Sequence, residues 1–262
     1  FSSPILSTNE TAFKRFAREA SILDSLEHPH IITTYGEWLD APVPFLALEF
    51  LRGTDLEDMD VSTLSSGEVF LVMQQIGQAL DHAHLSGFIH RDIKPGNVFL
   101  EWRGAPQRKL HSTLIDFGIG QLKSVGNTHG EWESLTRTNM VVGTPQYMAP
   151  EQWKRGELSG ATDIYAYTLL CFELLFGRRP FPGAFLQELY EAHLHMEIEI
   201  PEVDRFGRQL SSAQRSILSS GLSKCAFERP QTCRDLYSKW SIGKQKIKPK
   251  QVIASSTNNA AI

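Results

Sequence analysis

His90-Arg91-Asp92-Ile93-Lys94-Pro95-Gly96-Asn97 sets an Asp, a Lys and an Asn within one short stretch that a Pro-Gly pair bends into a loop. Such a loop suits chemistry in which a hydroxyl, a phosphate and a metal ion meet. Asp92 can accept a proton from an attacking hydroxyl. The Asn97 carbonyl can ligate Mg²⁺, and Lys94 can neutralise a phosphoryl group in flight. The same residues also suit a plain surface turn, with Asn97 closing the bend. Both readings of Asn97 can hold together.

Two further stretches decide between them. Asp116-Phe117-Gly118 follows the apolar, strand-like run Thr113-Leu114-Ile115. Further on stands Gly143-Thr144-Pro145-Gln146-Tyr147-Met148-Ala149-Pro150-Glu151. Taken in order, the three resemble the catalytic loop, the D-F-G motif and the end of the activation segment of protein kinases. The chain is similar to a Hanks-type serine/threonine protein kinase of bacterial kind, from about Ala12 to Trp240.

Composition is that of an ordinary globular chain: 262 residues, 41% hydrophobic, 21% charged. A net charge of −4 gives no reason to expect nucleic acid as a partner. Cys171, Cys225 and Cys233 fit no zinc spacing and cannot all pair, which favours a reducing, cytoplasmic setting. The most apolar stretch, Tyr165 to Phe176, is short and interrupted by Glu173, so it predicts a buried helix and no membrane span.

Periodicity predicts an amphipathic helix over Thr11–Leu26, ended by Glu27-His28-Pro29-His30. Ile31–Trp38 and Val43–Phe50 predict strands, with Pro42 and Pro44 bracketing their turn. Glu68–Ser86 predicts a helix stopped at Gly87. Val98–Leu100 and Ser112–Ile115 predict a hairpin, and 119–142 a polar loop. Helices are expected over Thr162–Phe176, Phe185–His193, Ser211–Leu222 and Cys233–Trp240. The fold expected is α+β and two-lobed, kinase-like, with an incomplete N-lobe. Residues 1–50 are the partial N-lobe, 51–240 the helical C-lobe, and 241–262 a flexible basic and polar tail.

The resemblance implies roles. Asp92 is the catalytic base, and Lys94 beside it accompanies Ser/Thr specificity. Asn97 and Asp116 are the implied Mg²⁺ ligands. Leu48 matches the gatekeeper, and the peptide groups of Glu49 and Leu51 match the hinge that bonds the adenine of ATP. Asp55 is read either as a partner of the ribose hydroxyls or as an acid at a helix N-terminus. His90, Phe117 and Leu23 match an apolar column, so His90 is not expected to act as a base. None of the nine histidines reads as a metal ligand. Glu151 and Arg229 match a buried structural ion pair. Arg91 implies a phosphorylated activation segment, with Thr136 and Thr138 as the candidates. The implied partners are ATP and a protein substrate, with room for an activating dimer.

The chain also departs from the pattern. No glycine-rich loop precedes the first helix, and the Lys that should face Glu19 from a strand is missing: no Lys precedes Lys14, which shares the helix of Glu19. With Phe at position 1, the chain reads as an N-terminally truncated kinase, and alternatively as a pseudokinase serving as a binding or scaffolding module. As written, it is expected to transfer phosphate weakly or not at all. Glu101 to Lys109 lengthens the stretch between Asn97 and Asp116 and predicts an exposed hairpin extension. Thr168 stands where the family commonly has Gly. A small-molecule phosphotransferase is disfavoured by Lys94 and by the 143–151 segment, which suits a peptide platform.

Overall fold

A helix with one apolar face is the first element of the described residues. The computed structural model describes residues 10–104, 108–117, 144–181, 183 and 185–240. In α1 (Glu10–Ser25), Phe16, Ala20 and Leu23 recur at helical spacing and are buried. The helix packs against β1 (Thr34–Trp38), which pairs antiparallel with β2 (Phe45–Leu48). Both strands are shorter than their apolar runs suggest. Ile31 is drawn away into a lone parallel bridge with Leu114, and Ile32 donates to the Leu114 carbonyl at 3.0 Å. A bulge at Gly36 (φ 133°) lets the Trp38 ring lie within 3.5 Å of where a Cβ would stand.

The second sheet runs β3 (Thr54–Asp55), β4 (Val98–Arg103), β5 (Lys109–Leu114), all antiparallel. The hairpin is thus longer than its apolar residues imply. Two-residue β3 carries no periodicity of its own. The lower lobe is helical. In α2 (Ser66–Leu85) a reciprocal cap sets the start: Glu68 N–H donates to Ser65 Oγ at 3.3 Å, and Ser65 N–H to Glu68 Oε2 at 2.9 Å. Gly87, at φ 81°, stops it as expected. Then follow α3 (Pro150–Trp153), α4 (Gly160–Phe176), α5 (Leu186–His195), α6 (Ser212–Gly221), α7 (Cys233–Tyr237) and a last 3-10 turn, Ser238–Trp240. Short α3 was not legible, because Pro150 opens it and it lasts one turn.

Helix α4 is apolar nearly all round and is the centre of the lower core. Thr168 sits on it, fully buried, and its hydroxyl donates to the Ile164 carbonyl at 2.6 Å. Gly221 of α6 faces it, and a Cβ there would stand 2.4 Å from Thr168 Oγ1. The small residue has moved to the neighbouring helix, so the Thr tightens this packing without a clash. Asp81 ties α2 to α7 by accepting from the N–H groups of Cys233 (2.7 Å) and Arg234 (3.0 Å).

Four histidines meet where α1, α2 and the long hairpin converge. The His28 ring stacks on His82 at 5.1 Å, and His30 lies 4.7 Å from His111. Burial, with His30 and His82 adding to it, lowers His28 to about 4. Burial lowers His30 against the Ser112 carbonyl, with His111 and Arg103 assisting. Burial and Arg103 lower His111 against the Pro29 carbonyl, Glu101 and Glu49. Groups held below their unfolded value of 6.5 favour the fold while neutral. That contribution is whole above pH 6.5 and is lost as pH falls toward about 4. The thermal midpoint should therefore drop over this window, and His28→Asn, which keeps an acceptor for the His30 N–H, should shallow the drop. Equal slopes in wild type and variant would refute this.

Candidate active site

Asp163, in the first turn of α4, organises the 90–97 loop from below. Its carboxylate accepts from the N–H groups of His90 (2.7 Å) and Arg91 (2.7 Å) and from His84 Nε2 (2.8 Å). Arg91 is thereby held at φ 69°, a left-handed conformation that costs about 1–2 kcal/mol in a side-chain-bearing residue. Gln152 Nε2 donates to its carbonyl at 2.9 Å. Sequence reading missed Asp163, since an acid in a helix's first turn is ordinary.

His90 is fully buried, donates from Nε2 to the Ile115 carbonyl at 3.1 Å and receives the Asp92 N–H at 3.3 Å. Burial lowers its basicity, although Asp163 opposes this. Its ring lies 4.6 Å from Phe117, and Leu23 belongs to the same buried cluster as Phe117. These contacts give His90 the packing role expected of it.

The carboxylate of Asp92 has two unequal oxygens. Oδ2 takes the Lys94 ammonium at 2.9 Å and the Asn97 amide at 3.2 Å. Oδ1 is buried and without a hydrogen-bond partner among the described residues. Asn97, in the 3-10 turn Pro95–Asn97, also donates from Nδ2 to the Asp92 carbonyl at 2.7 Å. Its Oδ1 must then point away from Asp92. Asn97 therefore closes the turn and keeps an oxygen for a hard cation. Asp116 follows β5 at φ 59° with an exposed side chain. Among the described residues no group of three or more His, Cys, Asp and Glu could hold a metal alone. One amide and one carboxylate oxygen fit a cation such as Mg²⁺, which keeps waters and bridges substrate phosphates.

The stretch expected to form the hinge is anchored from both sides. The Glu49 N–H donates to the Thr33 carbonyl at 2.9 Å, and Glu49 Oε1 accepts the Thr33 N–H at 3.0 Å. Arg52 N–H donates to Glu101 Oε1 at 2.7 Å. Glu101 is 8% exposed and also binds the Arg103 guanidinium, so the extension is not wholly a surface feature. Asp55 departs from one of its two readings: no helix begins there. It lies in β3, and its Oδ1 accepts from Glu57 (3.0 Å) and Asp58 (2.9 Å) in a local turn. Gly53 passes so close to β4 that a Cβ would stand 1.9 Å from the Leu100 carbonyl oxygen. Gly53→Ala must displace one backbone, and should cost about 1–3 kcal/mol, as overpacking does. Urea unfolding checks it; a change below about 0.5 kcal/mol would contradict it.

Thr136 and Thr138 lie outside the described residues, which resume at Thr144. Arg229 grips Glu151 through two bonds of 2.7 and 2.9 Å, and donates to the carbonyls of Ala161 (2.8 Å) and Ser223 (2.9 Å). Burial pushes the Glu151 carboxyl up, but Arg229 more than offsets this and holds it below its usual range. Tyr147 donates to Glu173, a contact sequence reading did not anticipate.

The family described as "Protein kinase domain" matches residues 5–241. The serine/threonine-protein kinase PrkC of Bacillus subtilis is 31% identical over 231 residues, covering 87% of this chain and 33% of PrkC. The serine/threonine-protein kinase pkn3 of Myxococcus xanthus is 30% identical over 264 residues, 98% of this chain and 47% of pkn3. The chain thus spans a third to a half of these relatives. The crystal structure of the Mycobacterium tuberculosis PknI kinase domain matches with a TM-score of 0.60 at 24% identity, covering 90% of this chain and 81% of that one. Its likeness concerns the two-lobed fold.

Proposed function

This chain belongs to the protein kinase family, and from that premise we propose that it serves to transfer the γ-phosphoryl group of ATP to Ser and Thr hydroxyls of proteins. The observation that carries the reading is Asp92 Oδ1, buried and unpartnered while Oδ2 is held by Lys94 and Asn97. One oxygen is fixed and the other is left to take a proton. Asp92 orients the substrate hydroxyl and accepts its proton. Lys94, partnered to the same carboxylate, supplies positive charge beside the group being moved. Asn97 Oδ1 and the Asp116 carboxylate would hold Mg²⁺, which when bound draws negative charge off the phosphates. The Glu49 carbonyl and Leu51 N–H receive the adenine edge. Asp55 reaches the ribose through the oxygen its turn leaves over.

Further parts of the reading rest on sequence. Thr136 and Thr138 are the phosphorylation sites that Arg91 would grip. The lobes divide between residues 50 and 51, with 241–262 as a tail. The cysteine pattern favours the cytoplasm, and no helix among the described residues is long and apolar enough to cross a membrane. A binding role without transfer is the second reading, because Lys14 shares the helix of Glu19 and so does not face it from a strand.

Full-length protein incubated with Mg²⁺, labelled ATP and, in separate reactions, peptides offering Ser, Thr or Tyr and an aminoglycoside tests the proposal. Label is expected on Ser and Thr. Label on Tyr alone, or on an aminoglycoside, would sink it. Nucleotide binding without transfer would select the second reading.

A further inference from the structure

Glu101, on β4, is a buried acid whose carboxylate is divided between two partners. Its Oε1 accepts the Arg52 N–H at 2.7 Å, across 49 residues of sequence. Its Oε2 accepts Arg103 Nε at 3.0 Å from the same strand. Burial pushes the Glu101 carboxyl up, but the Arg52 N–H and Arg103 more than offset this and hold it below its usual range. The group therefore stays a carboxylate and accepts at both oxygens. The strand beneath it is fixed as well: Trp102 Nε1 donates to Glu68 Oε1 at 3.3 Å, in the first turn of α2.

Arg52 needs this acceptor because the ladder has stopped short of it. β3 pairs with β4 at Thr54–Leu100 and Asp55–Phe99, and two positions earlier the Arg52 N–H meets a side chain where a strand would offer a carbonyl. A peptide group is planar and trans, so its N–H and C=O point opposite ways. Holding the Arg52 N–H therefore fixes the Leu51 carbonyl on the other side of the chain. Glu49, three residues earlier, is pinned through both polar groups of the Thr33 backbone. Phe50 between them is largely exposed, so its packing does little to hold the stretch, and the bonds at the two ends hold it instead.

We propose that Glu101 is a positioning residue for the nucleotide base: it fixes the peptide group that follows Leu51, and with it the stretch 49–51 that receives the adenine edge, while Arg103 steadies the carboxylate. The proposal rests on the kinase reading for its ligand, and on these hydrogen bonds for its geometry. The 101–109 extension thus gains a task, since it supplies the brace.

The test uses full-length protein with Glu101→Leu, Glu101→Gln and Arg103→Ala. Adenosine and inorganic tripolyphosphate serve as inhibitors that probe the two ends of the ATP site separately. Glu101→Leu should raise the ATP KM and the adenosine inhibition constant together, about 5- to 10-fold, the fold-change of one hydrogen bond. The tripolyphosphate constant, the peptide KM and kcat at saturating ATP should each stay within about twofold, because none of them depends on the base. Glu101→Gln keeps an oxygen for the Arg52 N–H and should recover the adenosine constant to within about threefold of wild type. Arg103 is partly exposed, so Arg103→Ala spares the core and should raise the adenosine constant about two- to threefold, the worth of a partly exposed ion pair. Amide hydrogen exchange at Arg52 should quicken in Glu101→Leu, and less in Arg103→Ala. An adenosine constant unchanged in Glu101→Leu, equal rises for adenosine and tripolyphosphate, or unchanged exchange at Arg52 would overturn the proposal. Should Glu101→Leu fail to fold, unchanged adenosine binding and exchange in Arg103→Ala would overturn it. Wild type that binds no adenosine and labels no peptide would instead overturn the kinase reading, and the exchange at Arg52 would still decide the role of Glu101.

Discussion

Asp92→Asn should lower kcat for transfer to a Ser or Thr peptide by about 10²–10⁴-fold, the usual worth of a general base. The substitution is nearly isosteric. It can keep an oxygen toward Lys94 and Asn97, which hold Oδ2 at 2.9 and 3.2 Å. The position of Oδ1 then carries an amide NH₂, a donor where the substrate hydroxyl must also donate. Proton acceptance and hydroxyl alignment fail together, while the backbone geometry set by Asp163 is untouched. ATP KM and melting temperature should therefore hardly change. Steady-state kinetics on the full-length protein provide the measurement. A kcat within threefold of wild type would remove Asp92 from the role of base.

Arg229→Ala should be the most destabilising single change, costing about 3–5 kcal/mol, as expected when one partner of a buried ion pair is removed. The Arg229 side chain is 0% exposed and that of Glu151 13%. Alanine strands the Glu151 carboxylate in a low-dielectric site and leaves the Ala161 and Ser223 carbonyls without their donor. It also empties the space over the Tyr165 ring. For a domain of this size the midpoint should fall roughly 6–20 °C. Glu151→Gln also leaves a buried charge, that of Arg229, but it should cost less, because a carboxamide oxygen still accepts one of the two bonds and the carbonyls of Ala161 and Ser223 keep the Arg229 donors. Thermal melts of both variants check the order. A larger loss for Glu151→Gln than for Arg229→Ala would contradict it.

How much was legible can be judged from particular elements. The long helices α1, α2 and α4 were read within a few residues, because each buries a face wide enough to impose its period on the sequence. The ends of β1 and β2 were not. Ile31 is as apolar as a strand residue, but its backbone pairs with Leu114 across the joint of the lobes. β3 and α3 escaped because two or four residues are too few to show a period. Of the candidate site, Asp92, Lys94 and Asn97 were named from the residues of one loop, and Asp116 from the family resemblance. Asp163, Glu101 and the Tyr147–Glu173 contact were not.

The sequence by itself determined which chemical groups stand on which loop, since spacing and turn residues within eight positions specify a short backbone path. Only the tertiary structure decided what those groups do to one another. It alone distinguishes the held Oδ2 of Asp92 from the unpartnered Oδ1. It sets Arg91 in its left-handed conformation through Asp163, which is 72 residues away. It also brings Tyr165 to His193 across 28 residues. Partners at such separations are chosen by which apolar faces pack together, and a buried polar group then has to bond whatever that packing places beside it.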